Sequence, residues 1–349
     1  MKLYNLGKVP WKQSQLIYHA LAYMGRESLV LVSPASPYVC VGYHQDVDHE
    51  VDLAFCRINH IPVFRREVGG GGVYLDGNQL FFQLVVRKGN PLVPASKEAF
   101  YRKFLKPVID VYRKIGIPAE YKPVNDIIVE SRKISGTGVG EIGDCIVLVG
   151  NLIVDFNYKM MARVLRVPDE KFRDKVQKTI EENLSTIRRE LGDTSADKWN
   201  DETLNSLMVD EFEKVLGRLN PGEKDDELEA RANELALRML DDDWLYRKGR
   251  HRKGRSVKIS SDVTIYHRVN KAPGGLMRAD FEVDCDRFVG ISISGDFFCY
   301  PEDAISRLES MLEGKQASEV HEVLTDFYGN QKIETPGICI DDWKEILKK

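Results

Sequence analysis

The sequence predicts an α+β protein: a mixed β-sheet flanked by helices, followed by a small α+β unit at the C-terminus. Three observations lead there. Short apolar runs bounded by glycine, proline and polar residues crowd residues 28–156, with helical-period stretches between and after them. Composition shifts at 247–256, where RKGRHRKGRS interrupts periodic sequence. Strand-like runs then resume and end in two helical stretches. The expected domains are therefore 1–247 and 256–349, joined by a linker at 248–255. A length of 349 residues suits two domains and a sizeable core.

The elements follow in order. Leu16, Ile17, Ala20, Leu21 and Met24 recur at helical spacing and predict a helix over 12–25. Strands are expected at Ser28–Val32, Val39–Gly42, Ile61–Phe64, Val73–Tyr74 and Leu80–Val86. A helix spans 97–115, and strands return at Asp126–Val129, Ile134–Gly138 and Asp144–Phe156. Residues 158–166, 202–216 and 225–240 read as helices, the last strongly charged. Past the linker, strands are expected at Val257–Ile259, Val263–Tyr266, Arg278–Val283 and Phe288–Ser294. A helix with Pro301 in its first turn and another at 317–328 complete the chain.

Charge and cysteine usage exclude several classes. A formal net charge of -4 gives no strong field for polyanions. The basic cluster Lys248, Arg250, Arg252, Lys253 and Arg255 has few aromatics among it and reads as a solvated linker, so no nucleic-acid partner is expected. The six cysteines form no C-x-x-C pair, so no metal site is expected, and they read as reduced thiols of the cytoplasm. Residues 1–15 lack an apolar h-region, and no run of eighteen apolar residues exists, so neither a signal peptide nor a membrane span is expected.

Two segments carry chemistry. The first is Arg65-Arg66-Glu67-Val68-Gly69-Gly70-Gly71-Gly72-Val73-Tyr74. Four glycines between two strands cost backbone entropy and read as serving no packing purpose. Their value lies in close approach of a ligand, with N–H groups free to cradle phosphate. The paired arginines upstream add fixed positive charge with bidentate geometry. No Gly-Lys-Ser/Thr follows, so this is not a Walker loop, and a strand rather than a helix follows. The second segment is Asn125-Asp126-Ile127-Ile128-Val129-Glu130-Ser131-Arg132-Lys133-Ile134-Ser135-Gly136-Thr137-Gly138. A lone hairpin lysine is ordinarily a surface residue. Lys133 sits among small residues, where an ammonium can be held between a carboxylate and a phosphate to offset their repulsion. Asp126 is a candidate for a magnesium contact or for pairing with Lys133, and equally for a strand-end turn.

In this order and at this distance, the two segments resemble the lipoate–protein ligase A family and the related octanoyltransferases of the biotin/lipoate ligase superfamily. Ser14-Gln15-Leu16, Gly42-x-x-Gln45, Val149-Gly150-Asn151-Leu152, Leu184-Ser185-Thr186-Ile187, Glu190-Leu191-Gly192 and Asp243-Trp244 add to the resemblance, which covers residues 10–247. Beyond the linker, Lys271-Ala272-Pro273-Gly274-Gly275-Leu276-Met277-Arg278 and Ile293-Ser294-Gly295-Asp296-Phe297-Phe298 resemble the family's accessory domain, here fused.

The resemblance implies a sheet of biotin/lipoate ligase type and an ATP-dependent reaction with Mg2+. Lipoate is adenylated and the lipoyl group passes to a lysine of a small acceptor domain, either a 2-oxoacid dehydrogenase E2 domain or a glycine-cleavage H-like carrier. It implies Lys133 as the catalytic lysine. Arg66, Gly70, Gly71, Gly72, Val73, Tyr74, Asn125, Asp126, Gly136 and Gly138 are implied to line the nucleotide or lipoyl-adenylate site, with residues 145–152 helping to form the acyl tunnel. A cytoplasmic monomer is the expected form. The family's Ser/Thr before the glycines is Val68 here, its His-Asp is Leu75-Asp76, and its His-Gly is Val149-Gly150; these departures bear on acyl-chain choice and acceptor contacts. Two alternatives remain open: an ATP-independent octanoyl or lipoyl transferase using Cys145, and a non-catalytic module binding lipoyl carriers.

Overall fold

The computed structural model describes residues 1–167, 169–249, 263–329 and 332–349. They form two compact units between which the chain crosses repeatedly. The first comprises Met1–Cys40, Asp52–Val63 and Val73–Met239; the second comprises Val41–Val51, Phe64–Gly72 and Leu240–Lys349. Of the expected linker only 248 and 249 are described. Arg250, Arg252, Lys253, Arg255 and the expected strand at 257–259 lie outside the described residues.

The strands of the first unit are β1 (Lys2–Val9), β2 (Ser28–Pro34), β3 (Tyr38–Val41), β4 (Val63–Arg65, which runs into the second unit), β5 (Val73–Leu75), β6 (Gln79–Arg87), β7 (Glu120–Lys122), β8 (Asp126–Val129), β9 (Arg132–Ser135), β10 (Thr137–Ile142), β11 (Cys145–Ile153) and β12 (Asn220–Pro221). A six-stranded mixed sheet runs β10–β11–β6–β2–β1–β12, with β1 parallel to both β2 and β12. Its central strands, SLVLVSP and QLFFQLVV, are buried throughout, which is why they read as continuous apolar runs rather than alternations. Helix Trp11–Tyr23 lies on β2 and β6, and helix Lys97–Lys114 packs on helix Asp201–Leu216. Ser96 and Asn200 cap the latter two, each side chain accepting a backbone N–H of the first turn. A smaller sheet, β7–β8–β9, carries the lysine segment, and β3 pairs antiparallel with β5.

Several expectations change. The single strand expected at Ile134–Gly138 is two, broken at Gly136: β9 belongs to the small sheet and β10 to the large one. Strand β1 and helix Arg173–Asn183 carry weak periodic signals, since β1 buries only Tyr4 and Val9 and the helix buries only Arg173. Pro301 precedes its helix rather than opening it; Ala304–Leu312 starts after Asp303.

The second unit has an antiparallel sheet of β13 (Val263–Ala272), β14 (Gly275–Asp284) and β15 (Arg287–Gly295). Met277, Ala279, Phe281, Ile305, Leu308 and Trp343 anchor its core beneath helices Ala304–Leu312, Val320–Gly329 and Ile340–Ile346. Lys248 is not a solvated linker residue. It is buried and its ammonium donates to Glu309 at 2.5 Å. Glu309 also accepts from the Ile293 amide at 2.7 Å, so the pair is tied into the sheet.

His44 sits at the centre of this unit, 1% exposed, its ring stacked on Phe297 at 5.1 Å. Neither ring nitrogen has a hydrogen-bond partner among the described residues. Burial, then the cations Lys248, Arg247 and Arg65, hold its pKa well below the ordinary 6.5. The folded ring stays neutral where the unfolded ring gains a proton, so the unfolded state binds more protons below pH 6.5 and stability falls as pH falls through that value. His44→Phe is expected to keep the stack and to remove about 1.4 kcal/mol of the stability lost between pH 7.5 and 5.5. Thermal melts of both proteins across that range check this; identical pH slopes would contradict it.

Candidate active site

The first chemistry-bearing segment lies in the second unit as far as Gly72, whereas its Val73 and Tyr74 and the whole lysine segment lie in the first. In the second unit, Arg65 and Arg66 divide their labour. Arg65 is fully buried and donates to the carbonyls of Gly42, Tyr43, Gln45, Trp244 and Leu245 at 2.6–3.1 Å. The indole of Trp244 donates back to the Arg65 carbonyl at 2.9 Å. Arg65 therefore builds the scaffold and is not a ligand-facing cation. Arg66 lies along the glycine loop, its Nη2 donating to the carbonyls of Gly69 at 2.7 Å and Gly71 at 2.9 Å. That contact turns those carbonyls toward the guanidinium.

The four glycines are not equivalent. A Cβ on Gly69 would meet the Phe297 carbonyl oxygen at 2.8 Å. Gly70 has φ +88°, and a Cβ there would meet the Phe298 ring at 2.9 Å. The Gly70 amide donates to Phe297 O at 3.2 Å. The reading that these glycines serve no packing purpose is thus corrected for Gly69 and Gly70, against which Phe297 and Phe298 close. Gly71 and Gly72 differ: a Cβ would meet only Asp296 at 3.7 Å and Gln45 at 3.5 Å, ordinary contacts, and both residues are half-buried. Protein packing leaves these two without an explanation, which suits a cradle for a ligand.

In the first unit, Lys133 stands on β9 with one-third of its side chain exposed. Its ammonium meets Asp126 Oδ1 at 2.6 Å. The pairing expected as one of the readings of Asp126 is present. The turn between β8 and β9 folds the lysine back beside β8, where Ile128 pairs with Lys133. Around it the chain break is stitched on both sides. Asn125 Nδ2 donates to Thr137 O at 2.5 Å, and Thr137 Oγ1 donates to Asn125 O. Gly136 N donates to Asn151 Oδ1 at 2.9 Å, and Ser135 Oγ donates to Asn151 O at 2.5 Å. Asn151 Nδ2 donates to Gln79 Oε1 at 2.7 Å, and Gln79 Nε2 donates to Tyr74 O at 3.3 Å. Tyr74 is thereby joined to Gly136 by one hydrogen-bonded path. Tyr112 adds a second tie, donating to Ile134 O at 2.7 Å and accepting from Ile153 N at 3.3 Å. Burial and nearby Asp76 push the Tyr74 phenol up to about 12, so it stays protonated as a donor.

A Cβ on Gly136 would lie 3.7 Å from Asn151 Oδ1 and 3.8 Å from Lys133 Cε, so the glycine keeps space open beside the lysine stem. Gly138 is buried opposite Val149 in the β10–β11 ladder. Gly150 is demanded by packing, because a Cβ would strike the Phe82 ring at 2.3 Å. Cys145 begins β11, fully buried, six residues before the Asn151 that meets Gly136. At the rise of an extended strand that is about 20 Å away. Burial also raises its thiol pKa. That spacing and the buried thiol count against Cys145 as a transferase nucleophile. Gln79 and Tyr112 were not anticipated; the visible signal for Gln79 was a polar residue opening a largely apolar strand.

With this geometry in place, comparison with known proteins identifies the class. A model of the lipoyl protein ligase A/B catalytic domain matches residues 8–213. The chain belongs to this family, whose members are ligases and transferases of lipoyl-type acyl groups. Lipoate–protein ligase 1 of Staphylococcus aureus is 24% identical over 339 residues, covering 94% of this chain and 89% of that protein. An octanoyltransferase, LipM of Kyrpidia tusciae, is 26% identical over 235 residues, covering 61% of this chain and 84% of that one. Among solved structures, P. falciparum LipL1 in complex with lipoate superposes with a TM-score of 0.70 at 17% identity, covering 98% of each chain. A lipoate–protein ligase A bound with ATP superposes with a TM-score of 0.57 at 22% identity, covering 70% of this chain and 98% of that one. At these identities the superpositions establish the shared fold.

Gly70→Ala is expected to destabilise the protein by about 1–3 kcal/mol, since it forces a left-handed conformation on a residue with a Cβ. Gly72→Ala and Gly136→Ala are expected to melt with the wild type. Denaturant titration checks all three, and an equally large loss in Gly72→Ala would refute the distinction.

Proposed function

We propose that the protein is an ATP-dependent lipoate–protein ligase acting through Lys133. The observation that carries this is the buried hydrogen-bond path from Tyr74 to Gly136, which holds a lysine paired with Asp126 beside a glycine whose space the protein leaves open. Similarity to a lipoate ligase along nearly the whole chain, and to folds solved with lipoate and with ATP, supports the same reading.

In this reading Arg66 and the amides of Gly71, Gly72 and Val73 take the nucleotide phosphates. Asn125 and Gly138 are assigned to nucleotide binding by the family resemblance. Lys133 exchanges Asp126 for the substrate carboxylate and the α-phosphate. A carboxylate oxygen of lipoate attacks the α-phosphorus, and pyrophosphate leaves with the electron pair of the broken P–O bond. The amine of an acceptor lysine then attacks the acyl carbonyl. The amide forms, AMP departs and the amine proton goes to solvent. Lys133 stabilises negative charge in both steps. Among the described residues no group of three or more His, Cys, Asp or Glu is placed to hold a metal ion. Mg2+ would be held by the nucleotide phosphates, with Asp126 the candidate protein carboxylate, and would offset phosphate charge there.

The acceptor is a small lipoyl-type domain presenting lysine on a hairpin tip. Residues 256–349 act as a fused accessory domain. No helix among the described residues is long and apolar enough to cross a membrane. A cytoplasmic monomer, the form expected from the sequence, is part of the proposal.

The test is mass spectrometry of an E2 or H-type lipoyl domain incubated with the protein, ATP, Mg2+ and lipoate. A lipoyl mass increase that requires ATP is expected. Modification without ATP would favour a transferase, and no modification of either domain would remove the reading. Lys133→Leu should abolish transfer while the circular dichroism spectrum and Tm stay close to wild type, because Lys133 is part-exposed and spans no core contact. Cys145→Ala should transfer normally.

A further inference from the structure

We propose that Asn151 and Gln79 are positioning residues: a carboxamide relay that sets the Gly136 amide and, through it, the space beside the Lys133 ammonium. The proposal rests on the ligase reading above and extends it to Gln79, which that reading does not use, and to Asn151, there only one of the residues 145–152 implied to form the tunnel.

The polarity of the relay is unambiguous. Gly136 N–H can only donate, so Asn151 must present its oxygen there, at 2.9 Å. Its amide NH2 therefore faces Gln79, which must present Oε1, at 2.7 Å. The Gln79 NH2 then faces Tyr74 O, which can only accept, at 3.3 Å. Every donor points the same way, so each bond polarises the next. The two side chains reach each other diagonally across the β6–β11 pair, where Asn151 stands opposite Phe81 and Ile153 opposite Gln79.

Stability alone does not call for this arrangement. Gly136 is half-buried, so water could meet its N–H. Gln79 is 1% and Asn151 7% exposed, in strands that are otherwise almost wholly apolar. Burying two carboxamides there is unfavourable unless every polar atom is bonded. An aliphatic pair would fill the same volume but would leave the break between β9 and β10 unregistered. The break is where the lysine strand leaves one sheet for another. A shift there moves Gly136 against the Lys133 stem, since the glycine's side-chain position lies 3.8 Å from Lys133 Cε.

The experiment measures lipoate-dependent pyrophosphate release by the full chain with ATP and Mg2+. Hydrogen–deuterium exchange of residues 134–138 is followed in the same samples. Asn151→Ala is expected to lower kcat by about tenfold or more, with KM for ATP and lipoate little changed, and to speed exchange at 134–138. Asn151→Asp keeps an acceptor for Gly136 and should restore both the protection and most of kcat. Gln79→Leu leaves Asn151 unanchored and should fall between, and it carries the test should Asn151→Ala not fold. Wild-type kcat in Asn151→Ala overturns the proposal. So does a loss that tracks the fall in Tm and that Asn151→Asp does not recover. If the wild-type protein releases no pyrophosphate, the ligase reading fails by itself. The relay is then decided by exchange: faster exchange confined to 134–138 in Asn151→Ala upholds it, and unchanged exchange overturns it.

Discussion

The break at Gly136 governs the candidate site. A strand that carries Lys133 in a three-stranded sheet must continue into the edge of a six-stranded one, and at that point backbone ladder pairing lapses. Side chains replace the ladder. Asn151 takes the Gly136 amide and Asn125 trades bonds with Thr137, so the lysine strand is registered against β11 on one side and against β8 on the other. Tyr112 ties β9 to β11 from the helical layer. Lys133 itself contributes little to this scaffold. Its ammonium pairs with Asp126, a part-exposed pair of the kind that contributes modestly to stability. A cation whose surroundings are rigid and whose own contact is exchangeable is suited to binding a substrate anion.

The second unit solves a different problem, the shaping of a glycine loop. Flexible glycine-rich backbone offers amides to a ligand only if its conformation is set in advance. Arg65 organises the carbonyls of the 42–45 and 244–245 segments, and Phe297 and Phe298 close on Gly69 and Gly70. The loop is therefore half structural and half open. The C-terminal segment supplies the groups that close on it, which gives that segment a physical reason to share a unit with residues 64–72.

Much of the fold was legible in the amino-acid order. The helix at 97–114, the buried runs of β2 and β6, and the strands of the small C-terminal sheet appear close to where periodicity places them, because each buries one face or both. Less legible were β1, with two buried residues, and helix Arg173–Asn183, with one. Weak burial leaves weak periodicity. The site was legible in its chemistry, since Arg66, the glycines and Lys133 stand out by type and spacing, but not in its division of labour. Two adjacent arginines look alike in a sequence; only packing makes one a scaffold and leaves the other beside the loop.

The sequence by itself determined the α+β class, the glycine cluster, the lysine among small residues and the family they resemble. These depend on residue type and local spacing, which survive without coordinates. Tertiary structure decided which glycines are obligatory, that Cys145 stands far from the lysine, that Lys248 is a buried ion-pair partner, and that Gln79 and Asn151, 72 residues apart, share a hydrogen bond. Such facts depend on strand register and on contacts between distant segments, and those are fixed only when the whole chain has chosen its pairings.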